Sequence, residues 1–188
     1  MAPPRLLQLQ LRNSAMWSRY TFWIALIFFL TFSIQLATVD QLHLPLGGFS
    51  LFLIFAISWA AFSAPEIGAV SGFFAGFLMD LSPSASGPIG EWTLILVIAG
   101  FGIAFLRYGD DSLRINPLSL VITVSISVMA SLFAYLTLNL LLGSELGSAW
   151  QAAKTILGNG LWTLAVAPFI LPVASRLHAF VFESRELV

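Results

Sequence analysis

The sequence predicts an all-α integral membrane protein built from six transmembrane helices. Three observations predict it. Of 188 residues, 59% are hydrophobic and 9% charged, against about 45–50% and about 25% in an average soluble domain. Apolar stretches approaching the roughly 20 residues of a spanning helix recur between short polar breaks. The basic residues then segregate: six spans put Arg5, Arg12, Arg19, Arg107, Arg114, Arg176 and Arg185 on one side and only Lys154 on the other. Lys and Arg concentrate in cytoplasmic loops, so both termini are expected in the cytoplasm.

The elements follow in order, as one membrane domain over residues 1–188. The first charge-free apolar run covers about 20–39; it is too long for a signal-peptide core and more spans follow, so it reads as a retained anchor. Asp40, His43, Pro45 and the Gly47-Gly48 pair mark a turn. A second span covers about 47–64. Pro65-Glu66 opens the third, about 65–81, because proline's missing N–H has no partner in a first turn anyway and a glutamate there faces the positive helix end. Ser82 to Gly90 is a loop rich in serine, proline and glycine. The fourth span runs about 91–107, from Glu91 to Arg107. Pro117 opens the fifth, about 117–142. Gly143 to Gly147 is a turn, and Ser148 to Ile156 a short amphipathic piece holding Lys154. The sixth span, about 157–177, contains Pro168 and Pro172, which a bundle tolerates when neighbouring groups satisfy the freed backbone. Trp17, Trp23, Trp92, Trp150 and Trp162 lie near span ends and read as interfacial anchors.

Several function classes are excluded. The absence of cysteine excludes a disulfide framework, a thiolate zinc site and a cysteine nucleophile. A net charge of −1 excludes a nucleic-acid binder built on a basic surface. His43 and His178 lie too far apart in this topology to share a metal. No Walker motif, zinc-ligand pair or serine elbow occurs. Asp110-Asp111 between Arg107 and Arg114 reads as a solvated charge cluster. The weakest reading is an enzyme such as an intramembrane protease or lipid transferase, which would need two aspartates on facing helices or a buried serine and histidine; Asp80 has no obvious acid partner inside a span. The expectation is therefore no catalytic residue, no cofactor and no metal.

The third helix carries the sharpest pattern. Gly68, Gly72, Gly76 and Asp80 are spaced by four and share one face. Such a flat glycine face lets another helix approach closely, and close packing drives association in lipid. The face is expected to hold a partner helix, so Gly72→Leu or Gly76→Leu should release that partner; packing within this chain's own bundle is the other reading. Ala56, Ala60 and Ala64 form a second small-residue stripe that could face the glycines. Asp80 sits where the helix dipole disfavours a carboxylate. It could pair with Lys154, with His43 or with backbone N–H groups of the loop, or cap that loop or the fourth helix. Pro83, Pro88 and Gly90 make the outer loop stiff.

The run from Gly72 through Gly76 and Asp80 to Ser82, with Pro83 and Gly90 before the next span, resembles the core signature of the MreD family of rod-shape-determining proteins. Gly100-Phe101-Gly102 resembles the family's Gly-x-Ala-like fourth-helix end, and Pro65 before the glycine helix also fits. The motif covers about residues 65–106, and Pro88 departs from many relatives. The resemblance implies a fold similar to the substrate-binding subunits of energy-coupling-factor transporters and a place in the bacterial plasma membrane. It implies a scaffold role in cell-wall elongation and peptidoglycan synthesis. The implied partners are MreC, a bitopic coiled-coil protein, with a RodA-type SEDS polymerase and a class B penicillin-binding protein. It transfers no catalytic residue. The alternative is a small-molecule, vitamin-type binding subunit, whose polar groups would come from His43, Asn139, Gln151, Asn159 and Trp162.

Overall fold

The structure is a computed structural model that describes residues 5–42, 48–83, 87–108, 116–143 and 149–182, with side chains from residue 21 onward except Asp40 and Ala149. Six α-helices occupy these residues: α1 (Arg5–Ala37), α2 (Leu51–Phe62), α3 (Pro65–Asp80), α4 (Glu91–Tyr108), α5 (Pro117–Leu141) and α6 (Ala149–Phe182). A single 3-10 turn, Val39–Gln41, follows α1. Local chemistry sets several boundaries. The Ser50 hydroxyl accepts from the Leu53 N–H at 3.2 Å and caps α2. Pro65 keeps Ala64 extended (φ −66°, ψ 155°), because a residue before proline avoids helical backbone; this separates α2 from α3. Asn116 caps α5 through the Leu118 N–H at 3.0 Å, and Pro117 fills the first turn.

Helices α3, α4 and α5 lie within a residue of the expected segments at both ends. The apolar run expected at about 20–39 is helical to Ala37, as the second part of a helix that begins at Arg5. Two expectations need correction. Helix α2 is only Leu51–Phe62, shorter than the expected 47–64. The amphipathic piece at 148–156 and the span at 157–177 are one helix, α6, running through Pro168 and Pro172.

Helix α2 is the axis of the bundle and touches every other helix. All residues from Phe52 to Ala61 are buried, as befits a helix apolar on every side. Its 12 residues rise about 18 Å, so it fits inside the jacket of longer helices. Phe28 of α1 anchors the contact, meeting Phe52, Phe55 and Trp59 edge-to-face with centroids 5.7–6.0 Å apart.

The molecule is apolar outside as well as inside, and some polar groups are buried in it. Gln35, Ser58, Ser125, Asn139, Asn159 and Thr163 are buried, while Phe22, Phe73, Ile98, Phe105, Ile126 and Phe169 are exposed. The buried Ser58, Ser125 and Thr163 hydroxyls donate to carbonyls four residues back, which satisfies them without water. Among the described residues, three helices are long and apolar enough to cross a membrane: α4, α5 and Trp150–Phe182 of α6. With an apolar outer surface this large, the molecule is suited to a lipid surrounding.

The chain alternates direction through the bundle. One end gathers Gln35 with the Phe52 N–H, Asp80 with Gly90, and Glu91 with Asn139. The other gathers Phe62 with Arg107 and Ser63 with His178.

Candidate functional site

The site of interest is the α3–α4 hairpin and the bundle end at which it turns. Glycine is what brings these two helices together. A Cβ on Gly68 would lie 2.6 Å from the Gly100 carbonyl oxygen and 2.8 Å from the Ala104 Cβ. One on Gly72 would lie 2.8 Å from the Leu96 carbonyl carbon, and one on Gly76 2.6 Å from both the Trp92 oxygen and the Thr93 nitrogen. The obstructing atoms are mostly backbone, which cannot rotate away. The glycine face is thus filled by α4 of the same chain. This corrects its assignment as a partner-helix interface, because no room remains there for a second helix.

Asp80 closes the hairpin. Its Oδ1 accepts from the Trp92 N–H at 2.9 Å; its Oδ2 accepts from the Gly90 N–H at 3.0 Å, the Thr93 N–H at 3.0 Å and the Thr93 hydroxyl at 2.5 Å. Of the alternatives for this residue, the loop and the start of α4 are the ones found. The carboxylate ends α3, where the dipole opposes it, but its oxygens sit at the N-terminus of α4, where free N–H groups and the dipole favour it. Lys154 is exposed on α6 and takes no part. His43 lies outside the described residues. Gly90 adopts φ +104°, a left-handed conformation open to glycine, which lets the chain turn into α4.

Glu91 was legible as a helix-start residue, but its burial was not. Its Oε1 accepts from the Asn139 Nδ2 at 2.8 Å, and Asn139 also donates to the Tyr135 carbonyl at 3.0 Å. Its Oε2 is buried with no hydrogen-bond partner, and Gly87 lies directly against it. Forty-eight residues separate Glu91 from Asn139, so no local pattern links them. Beside this pair Trp92 stacks on Tyr135, centroids 4.3 Å apart. Trp92 is therefore a core residue and not an interfacial anchor, whereas Trp23 and Trp150 are exposed as expected. The side chain of Trp17 lies outside the described set.

Trp92 and Tyr135 also border a half-enclosed cavity of about 250 Å³ at this bundle end. Of the residues offered for a ligand pocket, it takes in Asn159. Asn139 is turned to Glu91, Gln151 is exposed, and Trp162 lies against Phe49 with centroids 6.0 Å apart. Ala56 and Ala60 are buried in the bundle, and Ala64 precedes the first turn of α3. The alanine stripe therefore does not cover the glycine stripe, which α4 occupies. Pro83 and Pro88 are exposed between α3 and α4. At the opposite end the His178 Nε2 is 3.1 Å from the Ser63 hydroxyl, which itself donates to the Trp59 carbonyl. No group of three metal-ligating side chains occurs among the described residues. Comparison with protein-family models, curated proteins and solved structures finds no match to this chain.

Proposed function

We propose that this chain is an MreD-type, non-enzymatic scaffold of the bacterial cell-wall elongation complex. In this reading it lies in the plasma membrane, crosses six times and keeps both termini in the cytoplasm. The short α2 completes the count because longer helices shield it from lipid. It binds an MreC-like bitopic coiled-coil protein and, in a larger complex, a RodA-type polymerase with a class B penicillin-binding protein, supporting peptidoglycan synthesis and rod shape.

The observation that carries this reading is the hairpin. The signature glycines, Asp80 and Gly90 all serve one rigid α3–α4 unit. That unit leaves its outward side free. Phe73 stacks over Phe77 on α3, and Phe101 over Phe105 on α4, centroids 6.4 and 5.9 Å apart; all four are exposed. Interfaces favour such aromatic side chains, so the partner's helix is assigned to this outward side and not to the glycine face.

The test is photo-crosslinking in cells from positions 73, 77, 101 and 105, with mass spectrometry of the products. A bitopic coiled-coil protein captured at one or more of these positions is the expected result. Lipid adducts alone would refute the assignment. The vitamin-type binding subunit is the second reading, favoured by the cavity beside Asn159. Recovery of an ATPase pair with a large membrane coupling subunit would select it.

A further inference from the structure

The cavity at the Asp80 end lies over the first turn of α2. The 12 residues of that helix rise about 18 Å, against roughly 30 Å of hydrocarbon in a bilayer, so α2 cannot fill the bundle axis alone. Ser50 and Phe52 border the cavity from α2, Gln35 from the end of α1, Ser82 from just past α3 and Tyr135 from α5. More of the exposed wall is polar than apolar. Gln35 accepts from the Phe52 N–H and the Ser50 hydroxyl from the Leu53 N–H; a hydroxyl that accepts can also donate. The volume of about 250 Å³ is far above the roughly 10–15 Å³ that admits one water, and polar walls are what such water needs. Leu132 borders the cavity nine residues before the end of α5 at Leu141, about 14 Å along the helix, so the cavity reaches membrane depth. No charged side chain lines it among the described residues, and an ion held there without a counter-charge would be costly.

We propose that this cavity is a hydrated vestibule that receives small, uncharged, hydrogen-bonding molecules from the water at the Asp80 end. Its walls present hydroxyl and amide groups, which both donate and accept, so they suit a solute rich in the same groups. The volume of about 250 Å³ falls just below the roughly 300–1,000 Å³ of pockets for drug-sized ligands, which sets the size of that solute. The vestibule does not rest on the scaffold reading: a scaffold could carry it as readily as a transport subunit.

The chain contains no cysteine, so single cysteines test this in the full protein in lipid nanodiscs. Met79→Cys and Leu132→Cys replace residues that line the cavity. Ile89→Cys is a well-exposed reference, and Ile98→Cys lies on the apolar outer side of α4. Three methanethiosulfonates serve as probes: a neutral hydroxyethyl reagent, a cationic trimethylammonioethyl reagent and an anionic sulfonatoethyl reagent. The thiolate is the reactive form, and a thiol ionises only where water reaches it. The hydroxyethyl reagent should modify both cavity cysteines within about tenfold of the Ile89→Cys rate and far faster than Ile98→Cys. Each charged reagent, scaled to its own Ile89→Cys rate, should be at least about tenfold slower in the cavity than the neutral one. Adding Leu132→Trp, which fills the cavity from α5, should slow Met79→Cys and leave Ile89→Cys unchanged. Cavity cysteines no more reactive than Ile98→Cys would show a dry cavity and overturn the proposal. A charged reagent as fast as the neutral one would overturn the class of solute. Should one cavity variant fail to fold, the other still decides the matter. No outcome bears on which proteins crosslink to positions 73–105.

Discussion

A carboxylate in the last turn of a helix meets the negative end of the dipole, and Asp80 escapes that penalty by serving the next helix instead. Four donors converge on its two oxygens. Hydrogen bonds to a charged group contribute about 1.5–3 kcal/mol each in favourable cases. Asp80→Asn retains one acceptor oxygen but turns an NH₂ toward N–H donors. It is expected to lower stability by about 1–3 kcal/mol, and Asp80→Ala by more, as read from unfolding by SDS titration. Glu91 and Asn139 are coupled more closely. Asn139→Leu removes the donor from a buried carboxylate, so it should destabilise strongly. Adding Glu91→Leu removes the stranded charge, and the double variant should be more stable than Asn139→Leu alone. A double variant weaker than the single by the full cost of Glu91→Leu would show that the pair is not coupled.

Between helices, the decisive feature is which glycines have backbone opposite them. Gly76 faces the backbone of Trp92 and Thr93, while a Cβ on Gly102 would meet nothing within 4 Å. Gly76→Ala is therefore expected to push α3 off α4 and lower the thermal midpoint or abolish monodisperse elution in detergent, whereas Gly102→Ala should elute and melt like the parent. The four-residue spacing made the glycine face legible in the sequence. Its covering was not legible, because periodicity marks a flat face and says nothing of which helix fills it. The continuity of α6 was hidden for a related reason. The amphipathic segment with Lys154 and the apolar segment after it differ in surroundings and not in backbone. Hydropathy divides them, but the hydrogen-bond ladder does not.

For the molecule as a whole, alternation of helix direction puts Ile89 and Tyr108 at opposite ends of α4, both well exposed. The chain contains no cysteine, so single cysteines report topology cleanly. With both termini cytoplasmic, Ile89→Cys should react with a membrane-impermeant maleimide on intact spheroplasts, and Tyr108→Cys only after the membrane is opened. The reverse pattern would invert the proposed orientation. Large apolar residues fill the interior and also cover the outer surface, and a few serines, asparagines and a glutamine are buried among them. In lipid, burial of apolar groups gains little, so polar contacts and close backbone packing hold the helices together.

Composition and spacing alone determined that this chain is helical and apolar, where α3, α4 and α5 begin and end, and that Asp80 and the glycines matter. These properties are local: they depend on residues within one or two turns, on prolines in first turns and on caps. Tertiary structure decided what each face meets. It gave the glycine stripe to α4, placed the short α2 at the centre, joined Glu91 to Asn139 across 48 residues and left a half-enclosed cavity beside Asn159. Large apolar side chains occupy both the core and the outer surface, so hydropathy does not separate inward from outward faces. Only the packing of one helix against another makes that distinction.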